Sequence, residues 1–64
     1  MEETYQDRLK AERDQLADRA NKLADFVKGV VFPTIAPLQQ TLLKAQLGCM
    51  DAYLAILEVR LEAL

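Results

Sequence analysis

Cationic and aromatic side chains recur at helical spacing in the first half of this sequence. Arg8, Arg19 and Lys22 fall on one side of a helix drawn through residues 4–28, close to Tyr5 and Phe26. Arginine and lysine in such a row can meet anionic oxygens through charge-assisted hydrogen bonds. A tyrosine ring can stack on a planar base, worth about 1–3 kcal/mol per base. Two readings of Tyr5 and Tyr53 stand side by side: stacking on a planar ligand, or completing an apolar seam with the hydroxyl at its edge. Glu12 and Arg19 occupy positions where an ordinary seam carries aliphatic residues. Either they are edge charges, paired with each other or with a neighbouring chain, or Arg19 and Lys22 line a polar pocket between chains. Arg60 is a further candidate cation near the C-terminus.

Catalytic chemistry has less to work with. The chain has no His, no Trp and a single Cys, so it lacks an internal disulfide, a zinc ligand set and the usual proton shuttle. General acid–base work needs a carboxylate or tyrosine held in a closed cavity, and a two-helix unit encloses little space. Asp14 with Asp18 and Glu58 with Glu62 have the i,i+4 spacing of solvated helix faces, and no metal is assigned to them. Cys49 reads as a small buried apolar residue and fits a reducing, cytoplasmic setting. The expectation is a protein that is not an enzyme and uses no cofactor and no metal.

Two helices must position these residues. Thr4 followed by Asp7 has the form of a capping box, with Glu2, Glu3 and Asp7 near the positive end of the helix dipole and Lys22 and Lys28 toward its negative end. Gly29 stands where a left-handed C-terminal cap is expected. Gly29, Pro33 and Pro37 interrupt the helical pattern, and Pro37 suits the first turn of a new helix. The sequence therefore predicts one all-α domain over residues 1–64, an antiparallel two-helix hairpin with a helix over about 4–28, a connection over 29–35 and a helix over about 36–64. At ~1.5 Å per residue the helices span about 37 Å and 41 Å.

The apolar spacing predicts the seam. Leu9, Leu16, Leu23 and Val30 keep a strict interval of seven on the first helix. On the second, Leu43, Leu47, Met50, Leu54, Leu57, Leu61 and Leu64 alternate steps of four and three. A parallel series, Leu42, Gln46, Cys49, Tyr53, Ile56 and Arg60, runs beside it, so the second helix has more apolar surface than one narrow partner covers. Gly48 sits mid-helix at a cost of about 1 kcal/mol against alanine, explained by close approach of a helix or ligand, or merely tolerated.

Size points the same way. A chain of 64 residues buries enough apolar area, at ~25 cal/mol per Å², only to balance ~1.5 kcal/mol of ordering entropy per residue. The hairpin is therefore expected to assemble into a helical-bundle homo-oligomer. Ten acidic residues against eight basic ones, and a pI near 4.9, argue against DNA as a partner. No apolar run approaches the ~20 residues of a membrane span, and Met1-Glu2-Glu3-Thr4-Tyr5 does not have the form of a signal peptide.

The residues Tyr5, Arg8-Leu9, Glu12, Leu16, Arg19, Lys22-Leu23 and Phe26, followed by Leu42-Leu43, Gln46-Leu47, Met50, Tyr53-Leu54, Leu57 and Arg60-Leu61, resemble the small phage hairpin proteins of the anti-CBASS and anti-Thoeris sponge family. The likeness covers nearly the whole chain; longer relatives carry an additional leading helix. The resemblance implies a helical oligomer, typically a hexamer, in the cytoplasm of an infected bacterial host. It would sequester cyclic dinucleotides, or trinucleotides, made by bacterial defence systems, without cleaving them, and so keep the downstream effector inactive. The resemblance also implies that Tyr5 stacks on a base and Lys22 meets the phosphates at an interface between protomers. Arg8, Arg19, Phe26 and Arg60 complete the candidate ligand-binding set. A coiled-coil oligomerisation module that recruits a protein partner is the alternative.

Overall fold

The structure, a computed structural model, describes residues 4–64. Glu2 and Glu3, read as complementing the helix dipole, lie outside the described residues. Two helices, α1 (Tyr5–Lys28) and α2 (Pro37–Glu62), lie side by side as an antiparallel hairpin. The described residues contain no strand. The rod measures 47 × 21 × 14 Å, so it is about one helix thick in its shortest direction.

Local chemistry explains where α1 starts. The Thr4 hydroxyl accepts from the Asp7 backbone N–H at 3.1 Å and the Asp7 carboxylate accepts from the Thr4 N–H at 3.3 Å, a reciprocal capping box. At the other end Gly29 donates to the Phe26 carbonyl at 3.1 Å and leaves the helix in an extended conformation, φ −81° and ψ 175°. The expected left-handed cap is therefore absent, and no described residue has positive φ. The chain leaves along an extended path that carries Val30 and Val31 into the next turn.

That turn is a single 3-10 turn over Phe32–Thr34, with Pro33 inside it. The Gln40 side chain donates to the Ile35 carbonyl at 2.9 Å and so ties the connection to the first turns of α2. Pro37 opens α2, where its missing N–H has no helical partner to lose. Val30 does not extend the α1 stripe: it lies beyond the last helical residue and is 90% exposed. Phe32 takes the place left at the closed end, buried under the turn with the Phe26 ring edge-on at 6.2 Å and the Lys44 ammonium 5.6 Å above its face.

The core is one narrow seam. Leu9, Leu16 and Leu57 are buried together, with Met50, Leu54 and Leu61 packed against them and only partly covered. Ala20 is buried too, where the sequence pattern marked no core position; its small side chain lets the helices approach. Leu64 falls outside the seam, because α2 ends at Glu62 and Leu64 is exposed. No helix among the described residues is long and apolar enough to cross a membrane.

Candidate functional site

One flank of the hairpin, beside the seam, carries the cross-helix polar contacts. The Tyr53 hydroxyl donates to the Glu12 carboxylate, and the Arg60 guanidinium donates to the Tyr5 hydroxyl. Glu12 is one heptad beyond Tyr5 and Tyr53 is one heptad before Arg60, so the two contacts fix a constant antiparallel register. A further heptad along α1 brings Arg19, opposite the position of Gln46, and a last one brings Phe26 at the closed end. Charges at the seam edge thus have a structural use in Glu12, whose partner is a tyrosine of the other helix rather than Arg19.

Arg8 and Lys22 lie further out on the same flank. At 100° per residue Tyr5, Arg8, Arg19, Lys22 and Phe26 fall within an arc of roughly 100°. All five are solvent-exposed, Tyr5 at 51% and Phe26 at 39%. Lys22 forms an i,i+4 ion pair with Asp18 at 2.9 Å, yet three-quarters of its side chain is open to water. A pair this exposed contributes about 0.3–0.5 kcal/mol, so an arriving anion competes with Asp18 at little cost. Arg19 has no ion-pair partner among the described residues.

Length decides what one copy can do with this strip. Tyr5 and Lys22 are 17 residues apart on a straight helix, about 26 Å, and Tyr5 and Phe26 about 32 Å. The structure brings Tyr5 to Arg60 at the open end of the hairpin, and at the closed end Phe26 to Phe32, whose face Lys44 covers. It does not bring Tyr5 to Lys22. Phe32 was invisible as a neighbour of Phe26 in the sequence, because only the folded connection places it there.

The arrangement contains surface cations, exposed ring faces and no buried polar or charged side chain among the described residues. Among the described residues no group of three or more acidic, His or Cys side chains converges as a metal site would require. Cys49 is exposed, not buried, because its side of α2 points away from α1.

The pattern that defines the Sequestin family matches residues 3–63, nearly the full length. The chain belongs to the Sequestin family. It is also 39% identical over 57 residues to a protein of Enterobacteria phage T4 described as an uncharacterized 7.5 kDa protein in the denB-rIIB intergenic region, a match covering 89% of each chain. No solved structure matches it. The Sequestin match spans both helices and the connection, so it covers the flank strip and the seam alike.

Proposed function

We propose that this Sequestin-family chain binds and sequesters cyclic oligonucleotide second messengers, cyclic dinucleotides first and trinucleotides second, without cleaving them. In this reading it acts as a phage anti-defence protein in the host cytoplasm and withholds the messenger from its effector. The family's name speaks for sequestration, and the phage T4 relative for a phage setting. The observation that carries the chemistry is the exposed row of rings and cations on the α1 flank. A cyclic dinucleotide offers two planar bases and two phosphates, the two groups that such a row recognises.

Spacing then demands more than one copy. Tyr5 and Lys22, about 26 Å apart in one hairpin, reach the same small ligand only when they come from different chains. A two-fold between copies would present one lysine to each phosphate and one ring to each base. Arg8 and Arg19 supply additional charge along the row, and Phe26 an additional ring. Arg60, held by the Tyr5 hydroxyl, is the cation assigned to a trinucleotide site. A hexameric homo-oligomer accommodates both kinds of site.

Isothermal titration of the native assembly with a panel of cyclic di- and trinucleotides tests this directly. Micromolar or tighter binding to at least one of them is expected, with the ligand recovered intact. Lys22→Ala should weaken dinucleotide binding about 10- to 100-fold, the worth of one charge-assisted phosphate contact, and leave mass and helicity unchanged. Heat from none of the panel would remove the reading. The uncovered apolar side of α2 favours the second reading, a module that recruits a protein; one stoichiometric protein partner and no retained nucleotide in a pull-down would establish it.

A further inference from the structure

Within the cationic row on α1 one residue carries the opposite charge. The arc that holds Tyr5, Arg8, Arg19, Lys22 and Phe26 also passes, at the same steps of three and four, through Glu12 and Gln15, and Glu12 is the one acid on it. Arg8 stands one turn away, yet Glu12 forms no ion pair among the described residues. Its hydrogen-bond partner is the Tyr53 hydroxyl.

That contact does not by itself call for a charge. A glutamine carbonyl would accept the phenolic proton as well, and it would not repel the phosphates that the neighbouring cations suit. A carboxylate gains where two donors arrive together. It has about four lone-pair sites, of which the Tyr53 hydroxyl takes one. The others can accept two adjacent N–H groups, the pattern on the Watson–Crick edge of guanine, where N1–H and the amino group stand side by side. Adenine presents a bare N1 beside its amino group, so the same carboxylate would meet one donor and one lone pair. Arg8 and Gln15, one turn to either side of Glu12, carry N–H donors that suit guanine O6.

Tyr53 supplies a surface on which such a base can lie. Its ring is 42% exposed and its hydroxyl is anchored on Glu12, so the rim of the ring and the carboxylate adjoin. A purine stacked on that ring carries its edge to the carboxylate. Glu12 and Tyr53 each lie one heptad from the Tyr5 and Arg60 contact, about 10 Å along the helices. A ligand with two bases can bridge that distance, so one copy offers it both rings.

Given the messenger-binding reading, on which this step rests, we propose that Tyr53 and Glu12 form a base-reading pair that selects guanine. The ring stacks the base, and the carboxylate accepts from N1–H and the amino group. The preferred ligand is then a guanine-containing cyclic dinucleotide, whereas adenine on the same ring is held by stacking alone.

Isothermal titration with cyclic di-GMP and cyclic di-AMP, on the wild type and on Glu12→Gln, separates base reading from structural support. The wild type is expected to bind cyclic di-GMP about tenfold or more tightly than cyclic di-AMP, the discrimination of one bidentate base contact. In Glu12→Gln, which keeps an acceptor for the Tyr53 hydroxyl, that preference should fall to about threefold or less, with mass and helicity unchanged. Tyr53→Ala should weaken both ligands about tenfold, as loss of one stacking platform does. Equal wild-type affinities, tighter binding of cyclic di-AMP, or a preference that Glu12→Gln leaves intact would overturn the guanine assignment while messenger binding stands. Unchanged affinities in Tyr53→Ala would overturn it too. Heat from no cyclic nucleotide at all would remove the messenger reading and the assignment together.

Discussion

Among the described residues Leu57 is the one side chain fully withdrawn from water, enclosed by Leu9 and Leu16 across the seam. Truncating it to alanine is expected to cost about 2–5 kcal/mol, through lost transfer energy plus the cavity left behind. In a domain whose total stability is of the order of 3–10 kcal/mol, that is enough to shift the urea midpoint drastically or abolish folding. A loss below about 1 kcal/mol would mean the seam is not centred on this residue. The polar flank works on a smaller scale. Tyr53→Phe removes the hydroxyl that donates to Glu12 at an exposed site, so a loss of about 0.5–1 kcal/mol is expected. A double-mutant cycle with Glu12→Ala should recover a coupling of that size, because the two side chains face each other across the helices. Additive losses would show that the contact contributes nothing.

At the scale of elements, the ends of the helices follow from short local signals. Thr4 and Asp7 cap α1 as their types and spacing require, and Pro37 opens α2. Thr4→Ala is expected to lower stability by about 0.5–2 kcal/mol, with fraying of the first turn visible by hydrogen exchange at its leading amides. Protection unchanged from the wild type would mean that the box does not hold the helix start. The buried leucines Leu9, Leu16 and Leu57 were legible because a helix repeats every 3.6 residues and a seam every 3.5. Phe32 and Ala20 were not, since one is buried by the path of the connection and the other by the closeness of two helices, and neither leaves a periodic trace. Cys49 was misplaced for a related reason. Periodicity marks a stripe as apolar but does not say whether the same chain covers it. The candidate site divides in the same way: its rings and cations were visible as types, whereas the contacts Tyr5–Arg60 and Glu12–Tyr53 depend on a register that only the closed hairpin defines.

The whole molecule is a thin rod with one covered seam and an uncovered apolar side on α2, and association of copies would make its stability a collective property. If copies associate only in the folded state, mass action ties the melting temperature to concentration. For a dimer, each tenfold rise in chain concentration adds about 1.4 kcal/mol per dimer. Two unfolding chains of 64 residues gain roughly 0.27 kcal/mol per kelvin of entropy between them, at ~2.1 cal/mol/K per residue. Raising the concentration a hundredfold should therefore lift the melting temperature by about 10 °C, and a larger assembly should respond comparably, since each added chain brings both more mass action and more entropy. Thermal melts followed by circular dichroism at matched pH and salt, without nucleotide, measure this. A midpoint that stays fixed across the range, with a monomeric mass at its upper end, would mean that the narrow seam around Leu57 suffices alone and that the second face of α2 is simply tolerated in water.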